Sequence, residues 1–316
     1  MAYIRTYNSQ VHVGNWIEDV SLQEDALKDF LDRRERGELT TQKIGLLRQN
    51  ILKKMDLSVS TDGWLHFGDV IMLVNPGTER QNSSSSLEKI PREPSAISIN
   101  ANVSTTTASS IEAPCDVSGA MVLEPSTRTA FVVTSVDGSA TGEVVRYNQS
   151  FALRTTEGFA GQLYLTSDHK TFQKCAKKSR LQEVNLTDEP SFLTWWQAVY
   201  FDPQERLEYE GLPVPVNTKV LVVHCKTNQC LAVLGKYILW TPYGKEYEVT
   251  AQTYLDSHKA ERDLNHWVFV TANPEVEGQA IFNRPGPMAA MTPSEKPEMQ
   301  KTQFTDDQLL EEKQDS

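Results

Sequence analysis

The sequence predicts a mainly β, closed body, and two observations carry that expectation. One phrase recurs three times at domain scale, starting at His66-Phe67-Gly68-Asp69-Val70-Ile71, Arg146-Tyr147-Asn148-Gln149-Ser150-Phe151 and Val216-Asn217-Thr218-Lys219-Val220-Leu221. Each copy runs into an alternating apolar strand and closes, after an interval, on an aromatic strand: Ala130-Phe131-Val132-Val133, Trp195-Trp196-Gln197-Ala198-Val199 or His266-Trp267-Val268-Phe269-Val270. A repeat this long is one supersecondary unit used three times. Alternation at period two marks half-buried strands, and many short strands suit a closed all-β architecture.

The elements follow in chain order. Residues 1–20 read as an extended N-terminal arm, because Val11, Val13, Trp16, Ile17 and Val20 show no helical period. Residues 21–56 read as a helical pair. Ser21 and Glu24 make a capping-box pattern, Leu22, Ala26, Leu27, Phe30 and Leu31 share a face, and Gly37 suits a C-terminal stop. A second helix is expected from Thr40 or Thr41, with Ile44, Leu47, Ile51 and Met55 at spacings of three and four. From Leu57 the pattern alternates, and Ser60-Thr61-Asp62-Gly63 reads as a hairpin turn. Residues 82–110 interrupt the first repeat. Twelve of those 29 residues are Ser or Thr, which reads as a flexible insertion. Removing it leaves a first repeat of 43 residues (66–137), closer to the 55 and 56 of 146–200 and 216–271. Second strands are expected at 119–123, 162–165 and 229–233. Residues 272–316 hold scattered prolines and acidic residues and read as a flexible acidic tail, with helix-start chemistry only near Thr305 to Glu312.

Composition narrows the function classes. The formal charge of −11 and pI near 5.1 weigh against nucleic acid and anionic membranes as main partners. Lys170, Lys174, Lys177, Lys178 and Arg180 form the densest basic cluster and read as a solvated loop. No apolar run reaches the length of a membrane span, and Met1 to Arg5 open no signal-peptide pattern. The expectation is therefore a cytoplasmic chain. Cysteines 115, 175, 225 and 230 would be reduced, and the sequons at Asn82, Asn102, Asn148 and Asn185 unused.

No motif carries chemistry. Phosphate-binding glycine loops, zinc-protease patterns and nucleophile elbows are missing. His224, Cys225 and Cys230 fall short of a metal site, because successive strand residues point to opposite faces. Asp168, His169 and Asp188 form an acid–base grouping that any polar loop offers. The expectation is no catalytic residue, no cofactor and no metal. In the Trp195-Trp196 pair one ring should be core and the other should face the opposite side of the sheet. Val13, Trp16, Ile17, Trp195 and Trp196 are the candidate partner contacts.

Two resemblances add to this reading. Phe67-Gly68-Asp69, the run Val220 to His224 followed by Thr227 and Leu231, and Glu248-Val249 with Asn265-His266-Trp267 resemble the MIR motif of mannosyltransferases and intracellular calcium-release channels. That resemblance implies a β-trefoil over about 64–271. Val13 to Val20, His66 to Pro76, Leu207 to Pro215 and Thr253 to His258 are similar to the cilia- and flagella-associated protein 161 family, nearly end to end from about 11 to 273. The implied fold is thus a MIR-like β-trefoil body (57–271) with an N-terminal helical pair and extended or disordered arms. The implied role is a microtubule inner protein of cilia and flagella that stabilises doublet microtubules. Its partners would be α/β-tubulin of the A-tubule lumen and other inner proteins, its location the axonemal cytoskeleton, and it would have no catalytic residues. The alternative is a non-enzymatic MIR-type module binding a glycan or small ligand in a soluble complex.

Overall fold

The structure is a computed structural model that describes residues 16–78, 92–107 and 109–272 of the 316-residue chain. Val13, the rest of the first fifteen residues and the tail from 273 lie outside the described residues. Helices α1 (Trp16–Glu35) and α2 (Thr40–Ile51) precede twelve strands, among the described residues, that fall into three sets of four. The first set is β1 (Val70–Asn75), β2 (Ser95–Asn100), β3 (Cys115–Ala120) and β4 (Ala130–Ser135). The second is β5 (Ser150–Thr155), β6 (Tyr164–Ser167), β7 (Val184–Thr187) and β8 (Trp196–Tyr200). The third is β9 (Lys219–His224), β10 (Gln229–Thr241), β11 (Gly244–Ala251) and β12 (His266–Val270), and a single helical turn, α3 (Arg206–Tyr209), precedes it.

The pairings close a ring. β1 pairs with β4, β4 with β5, β5 with β8, β8 with β9, β9 with β12 and β12 with β1, all antiparallel. These six strands are a barrel. The remaining six form three hairpins, β2–β3, β6–β7 and β10–β11. The hairpins join in a triangle at one end: β3 pairs with both β11 and β7, and Glu183 beside β7 bridges Thr250 of β11. A six-stranded barrel capped by a triangle of hairpins, one from each repeat, is a β-trefoil.

The recurrent phrase has a physical cause two residues before each opening strand, where the structure shifts the third copy by one residue and sets Asn217, rather than Thr218, level with Gly68 and Asn148. Gly68, Asn148 and Asn217 hold the same place in their repeats, and all adopt positive φ, at 96°, 63° and 59°. Glycine and asparagine tolerate that conformation best. The next residue folds its side chain back in two repeats: Asp69 Oδ2 accepts from the His66 N–H at 2.8 Å, and Gln149 Oε1 from the Arg146 N–H at 3.0 Å. The turn aims the strand inward, and equivalent pairs then meet across the barrel: Ile71 with Phe131, Phe151 with Trp196, Val220 with Trp267. All six are buried in one cluster with Leu73, Leu153 and Phe269. Both tryptophans satisfy their indole N–H at equivalent places, Trp196 on the Leu165 carbonyl and Trp267 on the Leu231 carbonyl, each at 2.9 Å.

Several sequence expectations are corrected. Residues 16–20 are helical, so Trp16 and Ile17 open α1 rather than lie in an extended arm, and Ser21 is interior rather than a cap. The reason is charge: Glu18 and Asp19 sit in the first turn and Arg33 and Arg34 in the last, matching the helix dipole, and no breaker intervenes before Gly37. The Ser/Thr-rich stretch contains β2, whose Ala96, Ile97, Ser98 and Ile99 are all buried. Its serines look loop-like but serve the strand; Ser98 Oγ donates to the Ser118 carbonyl at 2.9 Å. The second strand of the first repeat is therefore β2, and residues 119–120 end the third strand. Nor do the flanks of Ser60–Gly63 pair as a hairpin. Asp62 Oδ1 accepts from the Trp64 N–H, an Asx turn, while Val59 bridges Ala272 and Trp64 bridges Pro215.

Two buried polar nodes lock the cap. Arg128 and Glu246, 4% and 3% exposed, form a two-pronged ion pair at 2.6 Å on both prongs. Arg128 Nε also donates to the Ile99 carbonyl at 2.7 Å, Ser118 Oγ donates to Glu246 at 2.7 Å, and the guanidinium lies 3.9 Å from the Tyr243 ring centre. His224 is the second node. Its Nε2 faces the Leu193 carbonyl at 2.9 Å and so carries the proton, and its Nδ1 takes the Thr227 hydroxyl at 2.8 Å. Gln182 Nε2 donates to that same hydroxyl at 2.8 Å, leaving its proton for the imidazole. The histidine and threonine of the MIR-like pattern are thus fastenings of the core.

Two measurements check these nodes. Glu246→Gln leaves the buried Arg128 charge uncompensated, which costs about 3–5 kcal/mol and lowers Tm by about 10 °C in a body of this size. A thermal melt unchanged from the parent would refute the assignment. Burial depresses the pKa of His224 and His266 below the ordinary 6.5. The unfolded chain then binds protons that the fold excludes, so stability is full above about pH 6.5 and falls as pH drops below it. Urea midpoints should fall between about pH 7.5 and 5.5, and His224→Gln should flatten that slope. A midpoint that rises on acidification contradicts this sign.

Candidate partner-docking surfaces

α2 is anchored and α1 is not. Leu47 and Ile51 of α2 are buried in the main core, and Arg48 reaches the turn of the β10–β11 hairpin, donating to the Pro242 carbonyl at 2.8 Å. Ile44 and Met55 of the expected face are partly buried. Gly37, at φ 73°, ends α1, and Gln42 of α2 ties the corner by donating to the Arg34 carbonyl at 3.0 Å. The helical pair thus divides: α2 packs on the trefoil, and no residue of α1 is buried.

The exposed side chains of α1 are not evenly mixed. At 100° per residue, Phe30, Trp16, Leu27, Val20, Leu31 and Ile17 fall on one side, interrupted by Gln23, Glu24 and Arg34, and Leu22 falls with Glu18, Asp25, Asp29 and Asp32 on the other. Trp16 is 69% and Ile17 64% exposed, and Leu27 and Phe30 are also open to solvent. Soluble proteins seldom leave a stripe of this kind uncovered.

Of the other residues singled out in the sequence, Trp196 is fully buried, with its ring 4.8 Å from that of His224, so it is removed from the partner-contact set. Trp195 faces the other way and is partly exposed, edge-on to the half-exposed Phe192 at 5.1 Å. The structure therefore brings neither Trp16 nor Ile17 together with Trp195. Sequence reasoning missed Trp240. β10 and β11 continue past the barrel cap after a register shift between Leu234 and Ile238, and on that extension Trp240 is 76% exposed beneath the Lys245 ammonium. Residues 235–241 do alternate in burial, but an exposed apolar alternation in sequence looks the same as a core one.

Reactive groups are held in unreactive states. Burial pushes the Cys115 thiol up to about 12 and Cys230 to about 11, so neither supplies a thiolate near neutrality. Asp168 is engaged by Lys226 at 3.1 Å and Lys174 at 4.0 Å rather than by His169, whose backbone N–H alone reaches it. Among the described residues, no three His, Cys, Asp or Glu side chains converge as metal ligands, and no helix is long and apolar enough to cross a membrane.

Against this geometry stand the comparisons with known proteins. Among solved structures, the SDF2-like protein from Arabidopsis thaliana aligns with a TM-score of 0.45 at 14% identity, covering 65% of this chain and 94% of that one. The Saccharomyces cerevisiae protein O-mannosyltransferase Pmt1-Pmt2 complex aligns at 0.44 and 13%, covering 75% and 29%. Sequence relatives are much nearer. Cilia- and flagella-associated protein 161 of Danio rerio is 56% identical over 286 residues, 89% of this chain and 93% of the relative. The Bos taurus protein of that name is 43% identical over 287 residues, 90% and 88%, and the Mus musculus protein 43% over 290 residues, 90% and 95%. Residues 43–272 match the cilia- and flagella-associated protein 161-like domain, α2 and the trefoil together. The chain belongs to the cilia- and flagella-associated protein 161 family.

Proposed function

We propose that the protein is a non-enzymatic structural component of motile cilia and flagella that binds the lumenal wall of the A tubule of axonemal doublet microtubules, beside other microtubule inner proteins. Family membership supports the cilium. The observation that carries the docking role is α1, a helix of 20 residues with none buried and most of its large apolar side chains, Leu22 apart, gathered on one side. A tubulin or inner-protein groove would cover that stripe, and its aromatic anchors are the residue types on which binding energy concentrates. The body suits a lattice brick: a closed barrel has no free sheet edge to aggregate or slip under repeated bending. The acidic charge is compatible with a wall read by shape and local contacts rather than by polyelectrolyte attraction. The MIR-type ligand reading gains no support from His224 and Thr227, which are committed to hydrogen bonds inside the core.

The test is extraction of the tagged chain from isolated cilia. Axonemes are washed with high salt and then with a detergent that dissolves part of the doublet wall. The chain should resist salt and leave only with the wall. Trp16→Glu with Leu27→Glu, both on exposed positions, should fold normally and incorporate about tenfold less. Release with membrane and matrix, or in the salt wash, would overturn the doublet assignment.

A further inference from the structure

The β6–β7 connection carries charge and exposure opposite to the rest of the molecule. The chain is −11 overall, yet Lys170, Lys174, Lys177, Lys178 and Arg180 crowd this one loop, with Asp168 and Glu183 the only acidic residues within it. At its centre Phe172 is 98% exposed, more than any other large apolar residue among those described. Surface cations around one bare aromatic ring could be a loose solvated loop, but the backbone is built. The Thr171 N–H donates to the Lys174 carbonyl at 3.0 Å, the Lys174 N–H donates to Thr171 Oγ1 at 2.9 Å, and the Ala176 N–H donates to the Leu181 carbonyl at 2.9 Å. Ala176 is buried. Glu248, itself buried, accepts the N–H groups of Lys178 and Ser179 at 2.7 and 2.8 Å. The loop is fixed at both ends, and Phe172 is held out from it.

The cations divide into two groups. Lys174 and Lys226 share Asp168, and Lys177 pairs with Asp116. Among the described residues, Lys170 and Lys178 pair with no carboxylate, and Arg180 Nη1 lies against Cys175 Sγ at 3.6 Å. Beside them opens a cavity of about 280 Å³ with a mixed lining, in which Val117, Val184, Leu239 and Val249 stand with Asp116, Glu183 and Glu248 and with Gln173 and Lys177 of the same loop. Its carboxylates do not repel an apolar guest: Glu248 is engaged by the loop backbone and Asp116 by Lys177, and burial followed by the Asp116 charge raises the Glu183 pKa.

We propose that the Phe172 loop and the adjoining cavity are a docking site for an acidic protein segment bearing an apolar side chain. The segment's carboxylates meet Lys170, Lys178 and Arg180, its apolar residue enters the cavity, and Phe172 is covered in turn. Charge complementarity selects this occupant. A short carboxylate-bearing segment matches a patch this small, whereas a nucleic acid or an anionic membrane extends beyond it onto a surface whose net charge is negative. The inference goes beyond the doublet reading, since it concerns the chemistry of one contact and stands whichever assembly the chain joins.

The experiment is fluorescence anisotropy with purified full-length chain. The probe is a labelled peptide in which pairs of Glu alternate with Leu and Phe. Controls are the same peptide with Gln for Glu, a single-stranded oligodeoxythymidine, and vesicles of phosphatidylcholine with phosphatidylserine. The acidic peptide should bind, more weakly as salt rises. Lys170→Glu with Lys178→Glu and Arg180→Glu, and separately Phe172→Ala, should each weaken it about tenfold or more with Tm unchanged, because these side chains are exposed. The Gln peptide should bind about as weakly as the charge-reversed variant binds the Glu peptide. No binding of the acidic peptide, equal binding by parent and variants, or tighter binding of the oligonucleotide or vesicles would overturn the proposal. Neither result bears on extraction from axonemes, so failure here and failure of the doublet reading are separable.

Discussion

The pairing of β1 with β12, Met72 beside Val270 and Val74 beside Val268, is the constraint on which the rest of the structure depends. It joins strands nearly 200 residues apart and turns an open sheet into a ring. Closing so long a loop is entropically costly and must be offset by contacts formed together. No repeat can make those contacts alone, because Ile71, Phe151 and Val220 face one shared interior. The three positive-φ turns at Gly68, Asn148 and Asn217 solve a single geometric problem three times: they point a strand into a barrel that the other two repeats must complete.

A symmetric barrel does not by itself explain the unequal repeats. The third hairpin overshoots the cap, and the Arg128–Glu246 pair holds its base. Glu246 rides on β11 and Arg128 precedes β4, so the ion pair stitches the first repeat to the third and fixes how far the long hairpin can slide along β3. Buried ion pairs give little net stability compared with apolar replacements, and register is the role best attested for them. The arrangement here fits that role, since Ile99 and Ser118 take further hydrogen bonds of the pair and the Tyr243 ring stacks on the guanidinium. Arg48 of α2 seats on the same hairpin turn, which fixes the second helix to the part of the molecule that departs from threefold symmetry.

Much of this was legible in the residues because the repeat leaves a local signature. An aromatic or Val, then Gly or Asn, then a short polar residue is a turn that can be recognised without knowing what it packs against. Alternation put Trp195 and Trp196 on opposite faces without saying which ring is core, and His224 beside Cys225 could be assigned to opposite faces. What failed to show had no local signature. β2 reads as loop because serine is small enough to be buried when a neighbouring carbonyl takes its hydroxyl, and that carbonyl, on Ser118, lies 20 residues away. The start of α1 was hidden because its apolar residues were matched to a capping box at Ser21, while the dipole-matching acids stood upstream at Glu18 and Asp19. Trp240 and Phe172 were invisible as surface features, because exposure depends on where a loop ends in space, and composition does not record that.

Barrel closure also dictates where recognition can occur. Every strand of the ring has a partner on both sides, and its inner face is core. Such a body offers a partner no sheet edge and little chemistry. Whatever it binds must be met by what lies outside the ring. The three most exposed Phe and Trp side chains among the described residues are Trp16 on α1, Trp240 on the overshooting hairpin and Phe172 on the basic loop, and all three lie there. They sit on different elements: the hairpin is fastened to the body through Arg48 and Glu246 and the loop through Glu248, whereas α1 meets α2 at its C-terminal corner, where Gln42 donates to the Arg34 carbonyl, and buries none of its own residues. Separated weak contacts act together when their spacing is held. A closed ring that carries its exposed aromatic side chains on elements outside it fits the proposed role of bridging neighbours in an assembly.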